Sequence, residues 1–128
     1  MAAVVLDASA VIALLREEPG AETVARHAGD AAISAVNLQE IAKELLITGI
    51  PMPVVRQMLA ELHLDVRAHA QEDAFEAAEL AQATQKYGRG LGDRSCMALA
   101  IQLGVPALTT DRAWAKLDTP GLEVQLAR

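Results

Sequence analysis

In 128 positions the chain has one cysteine and three aromatic residues, Phe75, Tyr87 and Trp114. A lone Cys96 excludes an internal disulfide, so packing and hydrogen bonds alone must hold the fold. With so few rings the core must be built from Ala, Val, Leu and Ile, and stacking platforms are nearly excluded as a binding device. Charges, Gly or Pro interrupt every apolar segment before it reaches the roughly 20 residues needed to span a bilayer, so a membrane protein is not expected. The start, Met1 to Asp7, has neither the basic region nor the long apolar stretch of an export signal, which with the unpaired cysteine predicts a cytoplasmic location. Positive charge is also scarce. There are 11 Lys and Arg against 17 Asp and Glu, a net charge of −6, which argues against wholesale phosphate binding by counterion displacement.

The 52% of hydrophobic residues is far from the polar balance of a disordered chain, and the length suits one ordinary domain spanning 1–128. Val4 to Leu6 is a short aliphatic run ending at Asp7, followed by an Ala/Leu-rich helix to Leu15 that Pro19-Gly20 closes. After an amphipathic stretch from Ala21 to Ala28, a strand is predicted at Ala31 to Ile33. Ser34 then caps a helix running to Thr48, which Gly49 ends. Pro51 and Pro53 start a helix to about Leu62, Leu64 to Arg67 alternates like a strand, and Gln71 to Lys86 reads as one long Ala-rich helix. Gly88-Arg89-Gly90-Leu91-Gly92 is the most flexible stretch and leads Asp93 into the first turn of a helix ending at Leu103-Gly104. Val105 to Thr109 is a fourth strand, Asp111 opens a short helix with Trp114, and Leu122 to Leu126 is a last edge strand. Short strands alternating with helices predict an α/β domain of three layers around a mostly parallel sheet.

Ligands of such sheets bind beyond the carboxyl ends of the strands. Asp7 follows the first strand and Asp111 the fourth, while Asp93 and Glu40 lie near the starts of helices at the same end. Each acid alone has an ordinary explanation. Asp93 and Asp111 suit helix starts, where an acid contributes about 1 kcal/mol, and Glu40 suits a solvated helix face near Lys43 and Glu44. Asp7 resists that explanation, because an unpaired carboxylate at the end of an aliphatic strand costs several kcal/mol or has its pKa raised. Gathering four carboxylates without basic partners is costly unless a hard divalent cation neutralises them. Oxygen-only ligands select Mg²⁺ or Mn²⁺ over zinc.

Four segments carry these acids: Val5-Leu6-Asp7-Ala8-Ser9-Ala10, Ser34-Ala35-Val36-Asn37-Leu38-Gln39-Glu40, Leu91-Gly92-Asp93-Arg94 and Leu108-Thr109-Thr110-Asp111-Arg112-Ala113-Trp114. In order and approximate spacing they resemble the successive motifs of PIN-domain ribonucleases of the VapC toxin type, over nearly the whole chain. The resemblance implies an Mg²⁺- or Mn²⁺-dependent endoribonuclease cutting single-stranded or looped RNA and inhibited by a VapB-type antitoxin, with a homodimer as the expected assembly. It further implies that Asp7 and Asp93 contact the metal most directly, that Glu40 and Asp111 complete the pocket, and that Ser9 and Thr109 orient acids or waters; since Mg²⁺ keeps several waters, Glu40 and Asp111 are expected to act through them.

Setting the four site acids aside leaves 13 acids against 11 bases, so the remaining surface is near neutral. Arg16, Lys43, Arg89, Arg94 and Arg112 flank the motifs as a local rim for phosphates. RNA would then be held by phosphate contacts and shape more than by base stacking. Cys96 is expected as a small buried hydrophobe and Trp114 as helix packing, and His27, His63 and His69 share no metal-ligand spacing. The stripe Val54, Val55, Met58, Leu59 and Leu62 reads as core, part of it open to a subunit or an antitoxin. A receiver-like signalling module also uses an Asp cluster with Mg²⁺. It needs a phosphoacceptor Asp after a middle strand and a Lys after a later one, and neither Leu64 to Arg67 nor Val105 to Thr110 supplies them. A PIN-like fold kept only for protein association would carry a degraded acid set, and here the set is intact.

Overall fold

Successive side chains of a strand point to opposite faces, so the uninterrupted apolar run Val4-Val5-Leu6 is satisfied only by cover on both sides of a sheet. The computed structural model, which describes all of residues 1–128, has that arrangement. Its elements in chain order are β1 (Val4–Leu6), α1 (Ala8–Leu15), α2 (Ala21–Ala25), β2 (Ala31–Ser34), α3 (Ala35–Ile47), α4 (Met52–Ala60), β3 (Asp65–Arg67), α5 (Gln71–Ala78), α6 (Leu91–Leu103), β4 (Ala107–Thr109), a 3₁₀ turn (Arg112–Lys116) and β5 (Val124–Leu126). Five strands form one sheet in the order β3-β2-β1-β4-β5, and every pairing is parallel.

Strand alternation divides the core in two. Val4 and Leu6 of β1, Ala31 and Ile33 of β2 and Leu108 of β4 face Val11 of α1, Val24 of α2, Ile41 and Leu45 of α3 and Val55 of α4. Val5, Ala32 and Ala107 face the other way, onto Cys96, Met97 and Ala100 of α6 and onto Trp114. Helix, sheet and helix are thus three layers, as expected. At 25 cal/mol per Å², burying one aliphatic side chain contributes about 1.5–3 kcal/mol, and this aliphatic interior replaces the aromatic one the composition denies.

Several local rules hold where they were expected. Ser34 caps α3, its Oγ accepting the Val36 N–H at 3.2 Å. Replacing Ser34 by Ala should cost about 1 kcal/mol of stability, measured by denaturant unfolding, because that N–H would face a position that is 3% exposed and short of water. The helix predicted from Gln71 to Lys86 stops at Ala78. Beyond it the chain tightens into turns, Leu80 N–H bonding Ala77 O and Ala81 N–H bonding Ala78 O. Leu80 then packs on the second core and Thr84, 1% exposed, gives its hydroxyl to Leu80 O at 2.8 Å. Tertiary docking overrides Ala-rich propensity there. The glycine stretch is also less free than expected. Gly88 is buried with φ +66°, and a Cβ on it would strike the terminal methyl of Met97, while Leu91 and Gly92 already belong to α6.

The strand order has one further consequence. The chain leaves β1 toward β2 and β3 on one side, then returns to place β4 and β5 on the other, so the order reverses between β1 and β4. In open parallel sheets the crevice beyond the carboxyl ends at that switch point is where ligands bind.

Candidate active site

β1 ends at Leu6, and Asp7 is the residue that must leave the sheet and start α1. Its side chain does not cap that helix; it turns inward and is 5% exposed. Two hydroxyls answer it. Ser9 Oγ donates to Asp7 Oδ2 at 2.7 Å and Thr109 Oγ1, from the end of β4, donates to the same oxygen at 2.8 Å. Each hydroxyl accepts in turn, Ser9 Oγ from Thr110 N–H at 3.1 Å and Thr109 Oγ1 from Asp111 N–H at 3.0 Å. This network ties the β1–α1 junction to the β4 exit across the switch point. Burial pushes the Asp7 carboxyl up to about 6, against the lowering effect of the Ser9 and Thr109 hydrogen bonds, and the charges of Asp93 and Glu40 add to the rise.

Asp93 is the third residue of α6, half-buried, and its Oδ2 accepts the Gly90 N–H at 3.1 Å, half of a capping box. Burial is the main cause that raises its carboxyl above the usual range, with the charge of Asp111 adding to it. Asp111 caps the 3₁₀ turn, its Oδ1 accepting the Ala113 N–H at 3.0 Å, and is exposed. Glu40 lies in the second turn of α3, partly exposed, with Oε1 held by the Asn37 amide at 2.7 Å. All four predicted acids therefore come together at the carboxyl end of the sheet, linked by mutual repulsion: Asp7 with Asp93 and Glu40, Asp93 with Asp111.

The ordinary and the chemical readings of these acids coexist in the same side chains. In every one of the four a single oxygen accepts from the protein, and the other, Oδ1 of Asp7, Oε2 of Glu40, Oδ1 of Asp93 and Oδ2 of Asp111, accepts nothing. As placed, no three Asp, Glu, His or Cys side chains are close enough to enclose a metal ion. The donor set of the four acids is oxygen alone, which favours Mg²⁺ or Mn²⁺ over zinc, and Mg²⁺ commonly takes only one or two protein carboxylates and completes its shell with water.

A groove of about 350 Å³ opens beside Glu40, lined also by Ala8, Ser9, Ile12, Arg16, Lys43 and Glu44. Lys43 is paired with Glu44 at 3.0 Å, so it is not a free cation of the rim. Arg16, Arg89, Arg94 and Arg112 enter no ion pair; the other pairs in the molecule are His27 with Asp30 and Arg67 with Asp65. Cys96 is fully buried under the site, where desolvation and the nearby acids push its thiol up and leave it inert. Two residues escaped the sequence reading. Asn37 is 0% exposed and Gly92 packs against the Glu40 carboxylate. Their only signals were an amide three residues before Glu40 and a glycine directly before Asp93.

The PIN domain family profile matches residues 4–120, most of the chain and all four acids. The chain belongs to the PIN domain family. This PIN domain also resembles solved structures. Over the full length of both chains it superimposes with a TM-score of 0.74 at 17% identity on a chain of a DNA-bound VapBC from Salmonella typhimurium. A toxin-antitoxin complex from Klebsiella pneumoniae matches at TM-score 0.71 and 18% identity, covering 93% of this chain and 94% of the other. A chain of FitAB bound to an IR36 DNA fragment matches at 0.72 and 17%, covering 97% and 94%. No curated protein matches the sequence significantly. At these identities the structural likeness establishes the fold, and membership places this PIN domain in a family of nucleases. None of its helices is long and apolar enough to cross a membrane.

Proposed function

We propose that this PIN domain is a divalent-metal-dependent endoribonuclease acting as the toxin of a toxin-antitoxin pair. The observation that carries the reading is the acid set: four carboxylates from four separate segments converge at the switch point around buried Asp7, each keeping one oxygen free of protein donors. Asp7 and Asp93, the two whose burial disfavours a bare charge, are the direct ligands for Mg²⁺ or Mn²⁺. Glu40 and Asp111, the latter exposed, act through bound water. Ser9 and Thr109 fix the Asp7 carboxylate through its Oδ2 and leave Oδ1 without a protein donor. When bound, the cation supplies charge neutralisation, a ligand position for a phosphate oxygen and a more acidic water, which phosphodiester hydrolysis requires.

Substrate contacts follow from the free cations. Arg16, Arg89, Arg94 and Arg112 flank the acid-bearing segments in sequence, form no salt bridge and are the side chains for RNA phosphates, which answers the unfavourable net charge. The antitoxin draws on the complexes of the structural neighbours. Its apolar contact is a groove of about 710 Å³ between α3 and α4, lined by Leu38, Ala42, Val55 and Leu59 among others. Pairing of two copies and a cytoplasmic location, where RNA and a reduced Cys96 coexist, belong to the same proposal.

Purified protein incubated with single-stranded RNA should cleave it with Mg²⁺ or Mn²⁺ and lose that activity in EDTA and in Asp93→Asn. Cleavage that persists at the parent rate in EDTA would overturn the metal assignment. Expression alone should slow growth, and co-expression of the antitoxin should restore it; normal growth under full expression counts against the toxin role.

A further inference from the structure

Asn37 is fully buried, yet it is polar and stands on α3 three residues before Glu40. Its Nδ2 gives one hydrogen to Glu40 Oε1 at 2.7 Å and the other to the Gly92 carbonyl oxygen at 2.9 Å. Both partners are acceptors only, so the amide orientation is fixed by chemistry. Asn37 Oδ1 is left buried without a donor, a cost the protein bears at this position. Gly92 faces the same carboxylate from the other helix. A Cβ built on Gly92 would overlap the carboxylate carbon and both oxygens of Glu40, although a glycine in a helix is unfavourable relative to alanine.

We propose that Asn37 and Gly92 form a cradle that positions the Glu40 carboxylate against the first turn of α6, beside Asp93, and that this sets metal affinity and cleavage rate. The inference rests on the nuclease reading above and adds two positioning residues to it. Without the cradle, Glu40 is a flexible side chain on a partly exposed face, repelled by Asp7 and free to turn toward solvent. With it, two acid-bearing helices are locked in one register by a single amide. Partners that orient metal-site acids from behind change affinity or activity by roughly 10–100-fold when removed.

The test uses Asn37→Leu, which keeps the volume and removes the amide, and Gly92→Ala, which adds a methyl where a helix favours it. In Gly92→Ala the clashing atoms are the end of one flexible side chain, so Glu40 moves and the fold stays. Both variants should bind Mn²⁺ about tenfold or more weakly by titration calorimetry, and cut RNA correspondingly more slowly. In a Glu40→Gln background Asn37→Leu should change either quantity less than about twofold, because the residue acts through the Glu40 charge. Parent-like Mn²⁺ affinity in both variants, or the same loss with and without Glu40→Gln, overturns the proposal. A Glu40 carboxylate unmoved in the crystal structures of both variants overturns it independently of any activity. A parent protein that neither binds Mn²⁺ nor cuts RNA instead overturns the nuclease reading, and with it the effect on rate. Should Asn37→Leu lose its cooperative thermal transition, Gly92→Ala decides alone.

Discussion

Asp7→Asn should reduce metal-dependent RNA cleavage by more than about 100-fold and at the same time stabilise the protein at neutral pH. The loss of activity exceeds the roughly 10–100-fold expected for a residue that only orients a ligand, because Asp7 is assigned to the metal itself. The gain in stability comes from the same burial. Folding raises the Asp7 carboxyl from 3.8 to about 6, which corresponds to at most about 3 kcal/mol of destabilisation in the charged form. Below about pH 4 the group is protonated in both states and contributes no penalty. Between about 4 and 6 the native chain still binds a proton that the unfolded chain has released, so stability falls as pH rises. Above about 6 the full penalty is present.

Asparagine removes the charge and keeps a carbonyl oxygen able to accept from both Ser9 and Thr109, so the hydroxyl network survives. At pH 7 the melting temperature should rise by about 3–10 °C, and at pH 4 the two proteins should nearly coincide. Mg²⁺ or Mn²⁺ should raise the melting temperature of the parent, since a ligand of the native state stabilises it, and leave Asp7→Asn almost unmoved. A parent whose stability does not decline from pH 4 to 7, or an Asp7→Asn protein that cleaves at the parent rate, would show that Asp7 is not a buried, destabilising metal ligand.

Local physics makes part of this fold and site legible in the sequence. Buried strands must be apolar on both faces, and Val4 to Leu6 and Ala31 to Ile33 say so directly. Ser34 and Asp111 cap the elements they precede because capping is a local matter of one side chain and one N–H two residues on. The four acids were visible because strand ends and helix starts of a parallel sheet share one edge. Helix length after Gln71 was not legible, since the decision is made by Leu80, Thr84 and Gly88 docking on residues far along the chain. Nor was Asn37, whose partner Gly92 lies 55 positions away. A polar residue that is buried to serve another polar residue leaves no periodic trace. Lys43 drops out of the charge rim for the opposite reason, because its neighbour Glu44 takes it locally.

Thr109 joins the two halves of the site, and Thr109→Val isolates its hydroxyl with little change of shape. In the parent it is 0% exposed, donates to Asp7 Oδ2, accepts from Asp111 N–H and lies 3.2 Å from Ser9 Oγ. Since the Ser9 and Thr109 protons both go to Asp7, the contact between the two oxygens is a consequence of their common partner. Valine leaves the Asp111 N–H without its acceptor and Asp7 with one donor instead of two. The unsatisfied N–H should cost about 1–3 kcal/mol, measured by denaturant unfolding. Loss of a hydrogen bond to the charged form moves the Asp7 carboxyl further up from about 6, because burial, the dominant cause, then meets less opposition. In the metal-free protein the fall of stability with pH should therefore extend to higher pH than in the parent. Cleavage at pH 7 should drop by roughly 10–100-fold and recover partly as pH rises, since more Asp7 is then ionised to bind the cation. Thr109→Ser, which restores the hydroxyl but not the methyl, should recover most of the activity while remaining less stable than the parent. A Thr109→Val enzyme whose activity has the parent's pH dependence would mean that the hydroxyl supports the fold but does not tune Asp7.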